Sequence, residues 1–350
     1  MMGAIVAGRG RPSRTTVYER LDRALAELNQ RLGGLPKPNE AQSIWDDIWY
    51  AEAHHSTALE GNTLVLREVQ ALLEGGRAFG AKPLREYNEV RGYADAARWV
   101  YGQALEPGDW HDGRLITLSE IRHIHDIAMT AVWDVAPHPE ATDRERPGQF
   151  REHDIHPFTE GMTPPAWPLV SAALQQWVQD VCALGDRLDC GARLERPLPE
   201  ELARLHNDFE CVHPFIDGNG RAGRLALNLV LVRLGYPPVV IFKRQRGAYL
   251  AAMRRADTGD YGALGELIAQ AMYDNLNRFI VPSIAGPASA VPLAALADKE
   301  LSLTALRRAA QRGRLDSVQG PDGVWRSSRK AVNDYRSARH QRRGNTAHTE

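Results

Sequence analysis

At 350 residues the chain is long enough for about two or three domains and a large core, and 43% hydrophobic with 25% charged residues excludes wholesale disorder. A formal net charge of −1 hides an asymmetry, because Lys299 to Arg343 carries 12 Lys/Arg against 4 Asp/Glu, a local balance of +8 that leaves −9 on everything else. A basic tail on an acidic body assigns separate jobs to the two parts.

In chain order, Val17, Leu21, Ala24, Leu25, Leu28 and Leu32 fall at helical spacing and predict a first helix over about 16–32, stopped by Gly33-Gly34-Leu35-Pro36. A second is expected from about 40 to 59, closing on Glu60-Gly61-Asn62 with glycine where a helix terminates. A short amphipathic helix over 64–73 and a longer one over 83–104 follow, the latter with Tyr87, Val90, Tyr93, Ala94 and Ala97 inward. The next, about 119–132, carries His123 and His125. Two positions apart on a helix they point in different directions, which predicts one solvated and one core histidine rather than a chelate.

Arg146-Pro147-Gly148-Gln149-Phe150-Arg151-Glu152-His153-Asp154-Ile155-His156 breaks the helical pattern and predicts an extended or hairpin segment. Helices are then expected from Pro164-Pro165 to about 184 and from 198 to 211, with two more over 245–255 and 261–281. Trp133, Trp167 and Trp177 are expected in the core. Three cysteines, Cys182, Cys190 and Cys211, are odd in number and lack metal-ligand spacing, which points to a reduced setting. Ala4-Ile5-Val6 is too short for a signal core and no uncharged stretch is long enough to span a membrane, so the cytoplasm is the expected location.

The richest stretch is His213-Pro214-Phe215-Ile216-Asp217-Gly218-Asn219-Gly220-Arg221-Ala222-Gly223-Arg224, followed by the apolar helix Leu225 to Val232. A Gly-Asn-Gly turn opening a buried helix aims free N–H groups outward, where the helix dipole favours an anion. Arg221 and Arg224 add fixed charge and forked donors suited to phosphate. A calcium loop is excluded, since arginines stand where further oxygen ligands would be needed. The chemistry indicated is the handling of a polyphosphate.

That stretch resembles the core motif of the Fic family: a histidine, a phenylalanine, an acidic residue, Gly-Asn-Gly-Arg and a final arginine. Ser56-Thr57-Ala58-Leu59-Glu60-Gly61-Asn62 resembles the family's inhibitory motif, and its upstream position places the chain with members carrying an N-terminal inhibitory helix. Pro147-Gly148-Gln149-Phe150-Arg151 resembles the start of the family's target-docking flap. The fold implied is mainly α, a Fic-type helical bundle with a short β-hairpin flap. In the tail, two short helices, a tight hairpin around Pro321-Asp322-Gly323 and a final helix over about 328–339 make a winged helix-turn-helix pattern. The division expected is a helical region over 1–110 with the inhibitory helix at about 40–61, a Fic core over 111–283, a linker over 284–290 and a winged helix domain over 291–343.

The resemblance implies roles residue by residue. His213 would be the general base, an imidazole expected to titrate near neutrality. Asp217 would hold Mg²⁺. Gly218, Asn219 and Gly220 would form the anion hole, with Arg221 on the β-phosphate of ATP and Arg224 on the γ-phosphate, while Phe215 anchors the loop. Gly148, Gln149, Phe150 and Arg151 would dock the target. The implied reaction transfers AMP from ATP to a protein Ser, Thr or Tyr. Glu60, with Ser56 beside it, would inhibit by pairing with Arg224, and the same glutamate positions water for AMP removal in some relatives. Dissociation of a homodimer, automodification and a partner are three routes to release that the sequence leaves open. The alternative reading is a DNA-binding regulator whose Fic body senses nucleotide, with Arg307, Arg308, Arg312 and Arg314 on and after the recognition helix. Other relatives move UMP, phosphocholine or a phosphate; the intact arginine pair favours a nucleoside triphosphate.

Overall fold

The computed structural model describes residues 12–36, 42–78, 80–156, 162–284, 290–320 and 322–346. The chain is mainly helical, in the order α1 (Arg14–Leu32), α2 (Gln42–Leu59), α3 (Leu66–Gly75), α4 (Leu84–Leu105), α5 (Leu118–Trp133), α6 (Val170–Asp189), α7 (Leu198–Val212), α8 (Asn219–Arg233), α9 (Arg246–Ala256), α10 (Gly262–Asn275), α11 (Val281–Ile284), β1 (Val291–Pro292), α12 (Leu303–Gln311), β2 (Val318–Gln319), β3 (Trp325–Ser327) and α13 (Arg329–Thr346). A π-helical turn at Leu276–Ile280 follows α10. No helix among the described residues is long and apolar enough to cross a membrane. The three cysteines are free. Two compact units emerge, residues 1–25 with 49–272, and residues 26–48 with 273–350.

The first unit is built on α8. Every residue from Arg221 to Val232 is buried, as a helix apolar all round must be. Against it pack α4, α5 and α7, α4 presenting Tyr87, Val90, Tyr93, Ala97, Val100 and Tyr101 as its inner stripe. Several of its buried polar groups are paired, as burial favours. At the end of α8, Arg233 donates to Glu120 at 2.7 Å and to the Leu115 carbonyl at 2.9 Å. Glu120 also closes a capping box on α5, accepting from the Thr117 N–H at 2.9 Å while its own N–H donates to Thr117 Oγ1 at 3.2 Å.

The helix expected from Pro164-Pro165 begins later. A 3₁₀ turn covers Trp167–Leu169 and α6 runs on to Asp189. The delay has a visible cause: the Pro165 carbonyl accepts from Arg151 at 2.6 Å and the Trp167 N–H donates to Asp154 at 2.8 Å, holding 165–166 out of the helix. Trp177 is buried as expected, its Nε1–H donating to the Leu205 carbonyl at 2.7 Å. Trp167 is a correction, since it is 43% exposed.

The second unit holds the three-stranded antiparallel sheet, order β1-β3-β2, with Val318 opposite Arg326, Gln319 opposite Trp325 and Val291 opposite Ser327. The β2–β3 hairpin is the one expected in the tail. Leu306, Ala309, Leu315 and Val332 are buried within this unit. Arg326 is not a free cation of the basic tail: it forks onto Glu27 at 2.9 Å and pairs with Asp322 at 3.0 Å. Of the expected linker, 285–289 lies outside the described residues, as do Ala4-Ile5-Val6 and Pro321.

Candidate active site

The loop between α7 and α8 gathers the motif. His213 caps α7 in the left-handed region at φ 47°, ψ 61°, a conformation that turns the chain out of the helix and costs a non-glycine residue about 1 kcal/mol. Its Nδ1 lies 3.3 Å from the Glu210 carbonyl. A carbonyl only accepts, so Nδ1 carries the hydrogen and Nε2 is the basic nitrogen. Burial first, and then the nearby Arg151 guanidinium, push the His213 pKa down to about 4, against the pull of the Glu210 carbonyl, Glu60 and Asp217. The near-neutral titration expected for this imidazole is therefore corrected: it is uncharged across physiological pH and a weaker base than a free histidine, until negative charge arrives beside it.

Phe215 is fully buried, stacked on the His125 ring with centroids 3.6 Å apart. His125 does more than fill the core. The Gly148 N–H donates to its Nδ1 at 2.9 Å, which leaves Nε2–H to donate to the Asp217 carbonyl at 2.8 Å. Burial above all lowers its pKa to about 4 and keeps it neutral in this bridge.

Asn219 has a second part beside its backbone N–H. Its side chain, 2% exposed, accepts from the Phe215 N–H and donates to the Phe215 carbonyl, both at 2.8 Å, so it staples the loop shut. The Gly218 N–H is likewise committed, to Asp217 Oδ1 at 2.6 Å. What faces an anion is then the first turn of α8, where the N–H groups of residues 219–221 have no intrahelical acceptor. Gly220 sits where a Cβ would come within 2.6 Å of Glu60 Oε1 and 3.0 Å of an Arg224 nitrogen; its lack of a side chain is what lets those two groups meet over the turn. Arg221 is buried and donates to Asp217 Oδ1 at 3.2 Å, while its Nε and Nη1 have no hydrogen-bond acceptor.

Asp217 lies below the usual carboxylate range. Burial raises it, but Arg221, the Gly218 N–H and Arg85 together outweigh burial. Its Oδ2 accepts from Arg85 at 3.3 Å, and Arg85 also pairs with Glu89 one turn along α4 at 3.0 Å. No cluster of three or more ligand-type side chains exists among the described residues. A cation here would take one carboxylate from the protein and the rest from phosphate and water. That donor set fits magnesium, and half-exposed Arg85 can yield Oδ2 to it.

Opposite the loop, α2 ends in a Schellman turn, with the Asn62 N–H donating to Thr57 O and the Gly61 N–H to Ala58 O. Gly61 takes φ 108°, which glycine alone adopts without strain. This sets Glu60 at the helix end, where the dipole disfavours a carboxylate. Arg224 offsets that cost. It donates to Glu60 Oε1 at 2.7 Å, to Ser56 Oγ at 2.7 Å and to the Ser56 carbonyl at 3.1 Å. Burial raises the Glu60 pKa, but the charge and hydrogen bond of Arg224, then Arg221, bring it below the ordinary value. A second acid faces the same guanidinium: Glu210 is buried, its Oε1 has no hydrogen-bond partner, and burial, only partly offset by Arg224, pushes it up to about 7.

The flap segment, 146–156, contains no strand. A short β-hairpin was expected there, and 157–161 lies outside the described residues. Its polar groups are spent elsewhere: Gly148 O accepts from Arg122 at 2.8 Å, Arg122 also reaches the Gln149 amide oxygen, and the Arg151 N–H donates to Pro214 O at 2.9 Å. Of the four residues expected to dock a target, Gly148 and Arg151 are buried, Phe150 is half-buried and Gln149 is exposed. Arg85, Arg122 and Glu210 were not singled out in the sequence, and His125 only as one of a pair of which one was expected in the core; each acts across the fold, and no local spacing marks that action.

Residues 115–231 match the Fic/DOC family model. The protein adenylyltransferase Fic of Drosophila willistoni is 29% identical over 270 residues, covering 75% of this chain and 49% of the relative. The protein adenylyltransferase fic-1 of Caenorhabditis elegans is 27% identical over 276 residues, covering 79% and 50%. The chain thus spans about half the length of the curated relatives it matches. Among solved structures, Fic-1 from C. elegans superposes with a TM-score of 0.58 at 25% identity over 76% of this chain and 71% of that one. A Fic family protein from Desulfovibrio desulfuricans shares the fold at TM-score 0.55, covering 91% and 97%. From the left-handed His213 to Arg224, the loop geometry lies on the stretch of residues 115–231 that matches the Fic/DOC family model, and Glu60 and Ser56 reach it from α2.

Proposed function

We propose that the chain is a protein adenylyltransferase, held inactive by its own second helix. The observation that carries this reading is the Arg224–Glu60–Ser56 constellation: a buried guanidinium beside an anion-ready helix terminus, already occupied by a carboxylate from the same chain. In the reaction, a hydroxyl of the target protein attacks the α-phosphate of ATP. The new O–P bond forms as the α–β P–O bond breaks, pyrophosphate departs, and the hydroxyl proton passes to Nε2 of His213. Negative phosphate nearby raises the basicity of that nitrogen from its depressed resting value. Arg221, with two donors awaiting acceptors, and the first turn of α8 would hold the phosphates; Arg224 would grip the γ-phosphate once Glu60 leaves it. Asp217 would hold Mg²⁺, which when bound neutralises phosphate charge. Gln149 and Phe150 would face the target. With Glu60 in place a water could be directed at an AMP ester, so removal of AMP belongs to the same proposal.

The test is incorporation of label from α-³²P-ATP. Glu60→Gly is expected to raise automodification at least 10-fold, and His213→Ala in that background to abolish it. Equal incorporation by parent and Glu60→Gly protein would overturn the inhibitory reading.

A second activity is favoured by one observation. Arg307, Arg308, Arg312 and Arg314, on and just after α12, are all exposed, beside the β2–β3 hairpin. We propose that 291–343 binds duplex DNA. Gel shift of the whole chain should weaken steeply with salt and be lost in the Arg307→Ala/Arg308→Ala variant; binding unaffected by both would exclude this face.

A further inference from the structure

Arg151 stands in the flap motif, where a side chain facing the target would be expected, yet none of its side chain reaches solvent. A buried guanidinium needs partners for five donors. Here they are backbone carbonyls from three segments. Nε donates to the His213 carbonyl at 2.9 Å, Nη1 to His153 O at 3.0 Å, and Nη2 to Pro165 O at 2.6 Å with Val212 O at 3.5 Å. The Arg151 N–H adds a bond to Pro214 O at 2.9 Å. Its one carboxylate neighbour, Asp154, is 3.9 Å away and largely exposed, so the charge is not primarily an ion-pair partner.

The carbonyls it gathers have a common origin. Val212 is the last residue of α7 and His213 its cap, so their C=O groups belong to the orphan set at a helix C-terminus, where the dipole is negative and a cation is favoured. The chain turns there through a left-handed residue that is not glycine. Such a conformation persists only where its surroundings over-determine it. We propose that Arg151 is the positioning residue of His213: its buried fork fixes the carbonyls on either side of the left-handed turn and so aims the imidazole at the reacting hydroxyl. It also makes the flap and the base one rigid piece, because the same guanidinium binds 153 and 165. This inference rests on the transferase reading, in that His213 is taken to be the base.

The test uses the full-length chain carrying Glu60→Gly, with two substitutions. Arg151→Lys keeps the charge and loses the fork; Arg151→Gln loses both. Both are expected to lower kcat for AMP transfer on the order of 100-fold, the cost of a misplacement near 1 Å, with KM for ATP within about 2-fold of the parent. The second readout is the ¹³C–¹H signal of His213 in protein with labelled histidine, without ATP. It should shift in both variants, and in Arg151→Gln its titration should move to higher pH, because a neighbouring positive charge is gone. A kcat loss with the His213 signal unmoved would overturn the proposal, as would unchanged kcat. If Arg151→Gln fails to fold, the Arg151→Lys arm decides alone. If the Glu60→Gly parent transfers no AMP the functional reading fails, yet the His213 signal still reports whether Arg151 positions that side chain.

Discussion

At the scale of residues the site works by making one guanidinium answer to competing anions. Arg224 is permanently charged, and its partners decide whether it is available. Glu60 supplies one strong charge-assisted bond and Ser56 two more, through Oγ and the carbonyl. On the proposed inhibitory reading, the serine hydroxyl is part of the lock rather than a spacer. A hydrogen bond to a charged group is worth about 1.5–3 kcal/mol, and Ser56→Ala removes one of three while leaving Glu60 and the carbonyl in place. The variant should show basal AMP incorporation on the order of 10-fold above the parent, and less than Glu60→Gly. Incorporation at the parent's level would show that the Oγ bond at 2.7 Å holds nothing shut.

At the scale of elements, the Glu60–Arg224 contact depends on how α2 is seated, and that seat is polar. Glu52, one turn before Ser56, is 2% exposed. It accepts from Tyr93 at 2.7 Å, from Tyr101 and from Asn228 at 2.7 Å, tying α2 to both α4 and α8. Burial pushes its pKa up to about 6, with the two tyrosines and Asn228 opposing. A buried carboxylate with several donors is costly to strip of any one of them, so the helix is held in register to within the length of a hydrogen bond. How far this was legible in the sequence follows from the kind of signal involved. The helices were readable because apolar residues recur at helical spacing, and the loop because eight specified positions lie in fixed register. Ser56 and Glu60 were readable as a local motif. The roles of Glu52, Arg85, His125 and Arg151 were not, because each depends on a partner far along the chain: Asn228, Asp217, Gly148 and His213 respectively. Arg151 in particular reads as a surface docking residue by position and is an interior one by packing. Within the described part of the flap, the Gly148 and Arg151 backbone groups bond to α5 and to the α7–α8 loop rather than to a neighbouring strand.

At the scale of the whole molecule, the first unit buries three imidazoles that must stay neutral. His125 and His206 are each 2% exposed, and His213 lies in the catalytic loop. Burial first of all lowers them to about 4, 3 and 4, with Arg224 adding to it at His206, whose Nε2 lies 2.7 Å from the Tyr249 hydroxyl. Each folded-state value is below the ordinary 6.5, so as pH falls the unfolded chain takes up protons before the folded one does. The stability they confer is complete above pH 6.5 and is lost progressively towards pH 4. Glu210 and Glu52 act in the opposite sense. Raised to about 7 and about 6, they cost stability at neutral pH and return it on acidification, but they are two groups against three histidines, and Glu52 departs less than any of those. The net expectation is a melting temperature lower at pH 5 than at pH 7 by roughly 5–10 °C, while Glu60 and Asp217, with depressed values, remain ionised. His206→Gln should lower the melting temperature at pH 7 by breaking the Tyr249 contact, yet narrow the difference between pH 7 and pH 5, because a group that cannot titrate no longer favours the unfolded chain in acid. A pH 7 to pH 5 difference as wide in His206→Gln as in the parent would assign the acid sensitivity to groups other than this buried histidine.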